Sequence, residues 1–246
     1  MLELQNLSKT YGKNLKPSVD HLSITVKPGH IFGFIGPNGA GKTTTIRMLT
    51  GILSPDQGSV VIDGYDMQRE PIRAKERIGF VPDGHDLFER MTGISYLNFV
   101  ANIYGVPADL RKERIGSMLV KYELDGAAGS QIRSYSRGMK QKLAVIASLL
   151  HSPKVWVLDE PMVGLDPRAS HLLKQEMRAH ADAGNVVFFS THVLEVAEKL
   201  CDQIGIIDKG VMIASGSLEE IRRGEQGASL EQMFLELTEK KEGADT

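Results

Sequence analysis

The residues best suited to chemistry form a Gly-x-x-x-x-Gly-Lys-Thr sequence directly after an apolar stretch at 31–35. They are Gly36, Pro37, Asn38, Gly39, Ala40, Gly41, Lys42 and Thr43, and Thr44 completes the set. Glycines at this spacing let backbone N–H groups approach phosphate oxygens at a positive helix N-terminus. Lys42 would reach the β- and γ-phosphates of a nucleotide, and Thr43 would offer its hydroxyl to Mg²⁺. The sequence therefore predicts a phosphate-binding loop for a nucleoside triphosphate.

A second candidate site follows four apolar residues at 155–158, where Asp159 and Glu160 stand side by side. The carboxyl ends of strands form the ligand-binding edge of an open α/β sheet, so Asp159 is expected to hold Mg²⁺ there, through water. Glu160 is placed to polarise an attacking water, which favours hydrolysis over simple nucleotide binding. His192 follows the apolar stretch 186–189, and we expect it to reach the same edge and hydrogen-bond the γ-phosphate.

The other histidines lack such a setting, and we interpret them as structural. They are His21, His30, His85, His151, His171 and His180.

The elements that must carry these residues begin with alternating strands at 2–7 and 19–26. A further short strand at 59–62 lies between turn residues, and together these favour an antiparallel β layer beside the nucleotide core. The pattern becomes helical from about 86 to 152, with Thr92 as a helix cap.

Strands and helices alternate again after residue 152. Strands are predicted at 155–158 and 186–189, separated by a helix over 167–183, and a hairpin at 204–214. In the tail, Ser229 and Gln232 make a capping box for one more helix. Its apolar stripe (Leu230, Met233, Phe234 and Leu237) is interpreted as packing on the parent domain.

Bulk properties indicate a globular protein with an ample core: 246 residues, 41% hydrophobic and 24% charged. A net charge of −2 gives no support for a nucleic-acid-binding surface. The single cysteine, Cys201, excludes an internal disulfide. Neither a membrane-spanning run nor a signal peptide is found, so the protein is expected in the cytoplasm and at a membrane only through a partner.

The segment Tyr135, Ser136, Arg137, Gly138, Met139, Lys140 and Gln141 is similar to the Leu-Ser-Gly-Gly-Gln signature of ABC transporter ATP-binding subunits. Asp159 follows Ser136 at the interval expected in that family. Tyr11 resembles the aromatic residue on which adenine stacks. Residues 164–166, ending in Asp166, resemble the loop that crosses to the other subunit, and His192 resembles the switch histidine.

This resemblance implies an α/β fold in which a P-loop NTPase core, mainly a parallel sheet flanked by helices, carries an antiparallel β subdomain and an inserted α-helical subdomain. The core with its β subdomain would cover 1–85 and 153–215, the helical subdomain 86–152, and a helical tail 216–246. Two subunits would close head to tail on two ATP molecules, so that Ser136 and Gly138 of one meet the γ-phosphate held by the other.

The resemblance also implies partners: a separate transmembrane permease, which holds the protein at the inner face of the cell membrane, and a second ATPase subunit, identical or closely related. Residues 43–47 and 99–106 look like exporter-type members. Three positions depart from the family: Arg137 and Met139 replace the common glycine and glutamine, and Asp83 replaces the usual glutamine. We hypothesise that Asp83 still ligates Mg²⁺, directly or through water.

Other functions remain open at this point. A soluble member of the superfamily acting in translation or DNA maintenance often has two cassettes or a long coiled coil, neither of which is present. A regulatory module without turnover would not need Glu160, and a small-molecule kinase would leave the Ser136 helix unexplained. The preference for ATP over GTP depends on Tyr11 alone, because stacking tolerates either base.

Overall fold

The computed structural model describes residues 1–12, 16–84, 88–222 and 230–234. In chain order its elements are β1 (Leu2–Lys9), β2 (Val19–Val26), β3 (Ile31–Ile35), α1 (Lys42–Leu49), β4 (Gln57–Ile62), β5 (Tyr65–Asp66), α2 (Pro71–Glu76), β6 (Ile78–Val81), α3 (Gly93–Ile103), α4 (Ala108–Lys121), α5 (Arg137–Leu149), β7 (Val155–Leu158), α6 (Pro167–Asp182), β8 (Val186–Thr191), α7 (Leu194–Leu200), β9 (Gln203–Asp208), β10 (Val211–Gly216) and α8 (Leu218–Arg222).

The larger sheet has the strand order β10-β9-β3-β8-β7-β6, and every pairing in it is parallel except that of β10 with β9. β3, β7 and β8 are buried along their whole length, because helices cover one face of the larger sheet, and α1 and the smaller sheet cover the other. β3 and β7 deliver the phosphate-binding loop and the two acids to the same edge, as predicted.

The smaller sheet is antiparallel, with the order β2-β1-β4-β5. Leu2 of β1 pairs with Val26 of β2 on one side and with Ile62 of β4 on the other. The predicted antiparallel layer is therefore confirmed. Its buried residues join a core with Phe32, Phe34 and Phe188 of the larger sheet.

The helical region between β6 and β7 contains α3, α4 and α5. Thr92 caps α3 as predicted, since its hydroxyl accepts a hydrogen bond from the Ser95 N–H at 3.2 Å. α5 packs against both α3 and β6 and shares a core with one face of the larger sheet. The division of the chain at 86 and 152 stays a prediction.

Sequence patterns did not predict β6, α2 or α7. β6 has only four residues, and its Gly79 allows α5 to approach so closely that a Cβ there would lie 2.3 Å from the Ser148 carbonyl oxygen. In the tail, residues 230–234 are helical, and Leu230 and Met233 are buried against the β3 and β9 side of the sheet. Ser229 and Leu237 lie outside the described residues, as does His85.

Candidate active site

The loop between β3 and α1 depends on glycine for its shape. Gly39 and Gly41 have φ angles of 81° and 110°, which residues with a Cβ rarely adopt. A Cβ on Gly41 would lie 2.5 Å from the Ser18 carbonyl oxygen, and one on Gly36 would lie 2.3 Å from that of Ile207. The loop is therefore fixed by contacts with the start of β2 and the end of β9.

Lys42 is the first residue of α1, and its side chain turns back over the loop. Its Nζ donates hydrogen bonds to the carbonyl oxygens of Gly36 at 2.6 Å and Pro37 at 3.2 Å. The same Nζ lies 3.5 Å from Oε1 of Glu160. Both side chains are largely buried, so the lysine ammonium and the glutamate carboxylate interact with little screening by water.

Asp159 lies at the end of β7 and is only 3% exposed. Its Oδ1 accepts a hydrogen bond from the Ser190 hydroxyl at 2.6 Å. Burial raises the pKa of this carboxyl above its usual value, and hydrogen bonds from Ser190 and Thr43 partly oppose that rise. The nearby carboxylates of Asp83 and Glu160 raise the pKa further. A cation bound nearby would therefore favour the ionised form of this carboxyl.

Glu160 has a φ of 48°, an uncommon backbone conformation for a residue with a side chain. Its N–H donates to the Ser190 hydroxyl at 3.0 Å, which helps to hold that conformation. Its Oε2 lies 2.9 Å from Nδ1 of His192, which follows β8. His192 is about half exposed, whereas the side chain of Glu160 is 13% exposed.

Of these groups, Lys42 and Glu160 line a cavity of about 360 Å³, whereas His192 does not line it. Its walls come from the loop, the start of α1 and two acids: Ser18, Pro37, Asn38, Gly39, Gly41, Lys42, Thr43, Thr44, Asp83 and Glu160. Asp159 lies beside it, on the wall of a larger neighbouring groove that Thr43 and Asp83 also line. Tyr11 lines neither space and is 43% exposed beyond β1.

Ser136, Gly138 and Asp166 form a second group away from the cavity. The Ser136 hydroxyl caps α5 by accepting a hydrogen bond from the Met139 N–H at 3.2 Å. Asp166 caps α6, and its pKa is lowered mainly by the hydrogen bond from the Ala169 N–H. A Cβ on Gly138 would lie 3.1 Å from the Gly164 carbonyl oxygen, so the start of α5 lies against the loop 160–166.

Two side chains of α5 strengthen that contact. Gln141 is 2% exposed, and its Nε2 donates to the Pro161 carbonyl oxygen at 3.0 Å. Nζ of Lys142 lies 3.9 Å from Oδ2 of Asp166.

Sequence reasoning missed the roles of Gln141 and Ser190 in holding the site together. For Ser190 one indication was available, since it stands two residues before His192 at the end of a predicted buried strand.

Comparison with known proteins gives a consistent result. Residues 19–163 match the family model described as "ABC transporter". The linearmycin resistance ATP-binding protein LnrL of Bacillus subtilis (strain 168) is 37% identical over 221 residues, which are 90% of this chain and 70% of that protein. The Nod factor export ATP-binding protein I of Ralstonia nicotianae is also 37% identical, over 95% of this chain and 72% of that one.

A third relative is similar over nearly its whole length. The ABC-type transporter ATP-binding protein EcsA of Bacillus subtilis (strain 168) is 33% identical over 99% of this chain and 98% of that protein. A solved structure titled "Structure of ATP binding subunit of ABC transporter" superposes with a TM-score of 0.92, with 33% identity over 97% of this chain and 99% of that chain.

None of the helices in the described ranges is both long and apolar enough to cross a bilayer. The phosphate-binding loop, the acids at the end of β7 and the two-sheet fold all agree with the matched family. The chain belongs to the ABC transporter family and is an ATP-binding, ATP-hydrolysing subunit.

Proposed function

We propose that this chain powers an exporter, and that it does so as one of two ATPase subunits that close head to tail on two ATP molecules. The observation that carries the catalytic part is that both Lys42 and His192 lie close to the Glu160 carboxylate, at the cavity that Lys42 and Glu160 line. Export is supported by two relatives whose names refer to Nod factor export and linearmycin resistance, and by the exporter-like residues 43–47 and 99–106.

The catalytic roles follow from position and chemistry. Backbone N–H groups of the loop and the Lys42 ammonium bind the phosphates and offset their charge. The Glu160 carboxylate orients and polarises the attacking water. His192 lies within hydrogen-bonding distance of Glu160 through Nδ1. With protons on both ring nitrogens, it would orient that carboxylate through Nδ1 and donate to the γ-phosphate through Nε2.

The residues also fit Mg²⁺, which proteins bind through one or two carboxylates together with substrate phosphates and water. We assign this role to Asp159, the Thr43 hydroxyl and Asp83, because the buried Asp159 already interacts with both of the others. When bound, the ion would offset the negative charge of the phosphates. Replacing Asp83 by alanine should weaken Mg²⁺ affinity and slow ATP hydrolysis. Unchanged Mg²⁺ affinity and ATPase activity in D83A would remove Asp83 from this assignment.

The second group supports the head-to-tail arrangement. Ser136, Gly138 and Asp166 lie at the ends of helices, yet they do not line the cavity of their own chain. A hydroxyl, a backbone N–H and a helix N-terminus make an anion-binding site. In a head-to-tail pair they would complete the partner's ATP site, where Tyr11 would stack on the adenine.

A groove of about 780 Å³ beside the nucleotide cavity is suited to the permease. Its walls include aromatic and apolar side chains of α3 and β6, among them Phe80, Tyr96, Val100 and Tyr104. Ile52 and Ile103 at its rim are each 64% exposed. An exposed apolar surface of this kind marks a protein contact. Binding there would place the subunit on the inner face of the cell membrane.

The decisive experiment uses E160Q, which keeps the shape of Glu160 and removes its charge. ATP hydrolysis should fall by about a hundredfold or more, because the water loses its activating group. ATP with Mg²⁺ should then convert the variant to a stable dimer, measured by light scattering after size exclusion. E195Q, which changes an exposed carboxylate of α7, is the matched control and should hydrolyse ATP normally.

An E160Q protein that stays monomeric at saturating MgATP would contradict the head-to-tail proposal. For the membrane partner, the tagged protein should be recovered from detergent-solubilised native membranes together with a multi-span protein, identified by mass spectrometry. Recovery only from the soluble fraction, with ribosomes, DNA or no partner, would favour a soluble superfamily member instead.

A further inference from the structure

We propose that Arg137 contacts the triphosphate of the ATP held by the partner subunit and strengthens ATP-driven dimerisation. The inference rests on the head-to-tail arrangement proposed above and adds a residue to it. Arg137 is the first residue of α5, between Ser136 and Gly138, so it stands inside the group that would meet the partner's γ-phosphate.

The side chain of Arg137 is anchored along its stem. A Cβ placed on Gly164 would lie 3.1 Å from both Cδ and Nε of Arg137, so the stem packs directly over that glycine. Gly164 has a φ of 84°, which favours glycine, and it belongs to the same loop that Gln141 binds through the Pro161 carbonyl. The guanidinium is therefore held at the exposed start of α5 by a loop that α5 itself fixes.

The charge of Arg137 has no carboxylate partner within ion-pair distance in the described part of the chain. Three nearby cations do form ion pairs: Lys140 lies 2.6 Å from Glu89, Lys142 lies 3.9 Å from Asp166, and Arg168 lies 2.8 Å from Glu123. An unpaired arginine beside Ser136 is thus available for an anion from outside the chain.

Its position in the helix is unfavourable without such an anion. A helix N-terminus carries partial positive charge, and a cation there is destabilising. The first turn of α5 contains no acidic residue that would offset this charge. A triphosphate would relieve the repulsion, and a guanidinium can bind two phosphate oxygens at once.

The test measures ATP-driven dimerisation in the E160Q background, where hydrolysis does not interfere. The ATP concentration for half-maximal dimer formation should rise by about tenfold in E160Q/R137Q, the effect of removing one charge-assisted contact. E160Q/R137K keeps the positive charge, and its ATP concentration for half-maximal dimer formation should lie between those of E160Q and E160Q/R137Q. E160Q/R69Q, which removes an exposed arginine from the turn before α2, is the matched control and should equal E160Q.

Salt dependence separates a phosphate contact from a structural effect. Added NaCl should raise the midpoint less steeply in E160Q/R137Q than in E160Q, since a phosphate contact has been lost. Equal midpoints and equal salt slopes in these two proteins would overturn the role of Arg137, while dimerisation of E160Q itself would leave the proposed function standing. Failure of E160Q to dimerise would instead contradict the head-to-tail proposal, and with it the role of Arg137 that rests on it.

Discussion

Ser190 joins the two acids of the active site through a single hydroxyl. It donates to Oδ1 of Asp159 and accepts the N–H of Glu160, at 2.6 and 3.0 Å. A hydroxyl has one donor and two acceptor positions, so it can serve both contacts at once. It therefore orients the carboxylate proposed to hold Mg²⁺ and stabilises the unusual backbone conformation that presents Glu160.

Replacing Ser190 by alanine should reduce kcat for ATP hydrolysis by roughly 10–100-fold, the usual cost of losing a hydrogen-bond partner of a metal ligand. S148A is the matched control. Ser148 is also a buried hydroxyl, which donates to the Val145 carbonyl oxygen and accepts the Trp156 indole N–H, but it contacts neither acid. Both variants should lose thermal stability in similar measure, and only S190A should lose kcat. A normal kcat in S190A would contradict the orienting role.

At the scale of elements, His151 links three of them just after the end of α5. Its Nε2 donates to the Ile78 carbonyl oxygen at the start of β6, at 3.0 Å. Its ring stacks on Tyr104 at the end of α3, with centroids 3.7 Å apart and planes 10° apart. Burial lowers the pKa of His151 to about 4, and the charge of Arg114 contributes to the lowering.

This lowered pKa makes stability depend on pH. Between pH 6.5 and about 4 the unfolded chain binds a proton at His151 and the folded chain does not, so stability is lost as the pH falls through that window. Between pH 7 and pH 5 the loss should amount to about 2 kcal/mol. Between pH 7 and pH 5, H151Q should lose about 2 kcal/mol less stability than the unsubstituted protein, as measured by urea unfolding at the two pH values.

H171Q provides the control for this measurement, because His171 is an exposed residue of α6. It should show the same pH dependence as the unsubstituted protein. If H151Q and the unsubstituted protein lost equal stability between pH 7 and pH 5, His151 would not contribute to the loss of stability in that interval.

At the scale of the whole molecule, Arg178 ties together segments far apart in the sequence. Its Nε donates to Asp182, its Nη1 to both oxygens of Asp202, and its Nη2 to the Gly29 carbonyl oxygen, at 2.8 to 3.1 Å. Asp202 in turn accepts the Ile31 N–H at 2.7 Å. The end of α6, the start of β3 and the turn before β9 are thus held as one unit.

R178M should lower the melting temperature by about 5 °C, since losing charged hydrogen bonds costs about 2 kcal/mol in a chain of this size. ATP hydrolysis at 25 °C should be unaffected, because these contacts lie at the opposite end of β3 from the loop. R73M removes an exposed arginine that pairs with Glu70 and lies over the Tyr65 ring, and it should change the melting temperature little, because both contacts are at the surface. Equal decreases in melting temperature in R178M and R73M would contradict the stabilising role of Arg178.

Much of this organisation could be predicted, because it depends on the order of the strands and the site residues along the chain. Lys42, Asp159 and His192 each come shortly after an apolar strand, and the parallel strands β3, β7 and β8 bring them to one edge of the sheet. Ser190 and Arg178 were not predictable in the same way, since their partners lie 31 and up to 149 residues away and no local period marks them. β6 was not predicted, because it has only four residues, one of them a glycine, and their pattern is too short to indicate a strand.

In the proposed head-to-tail pair, each subunit contributes two half-sites that serve different ATP molecules: the cavity around Lys42 and the group around Ser136. In the head-to-tail pair, a defect in one half-site harms one of the two composite sites and leaves the other chemically whole. A chain damaged at Lys42 and another damaged at Ser136 could therefore restore one intact site when mixed. The fold thus permits complementation between two individually inactive copies of the same polypeptide.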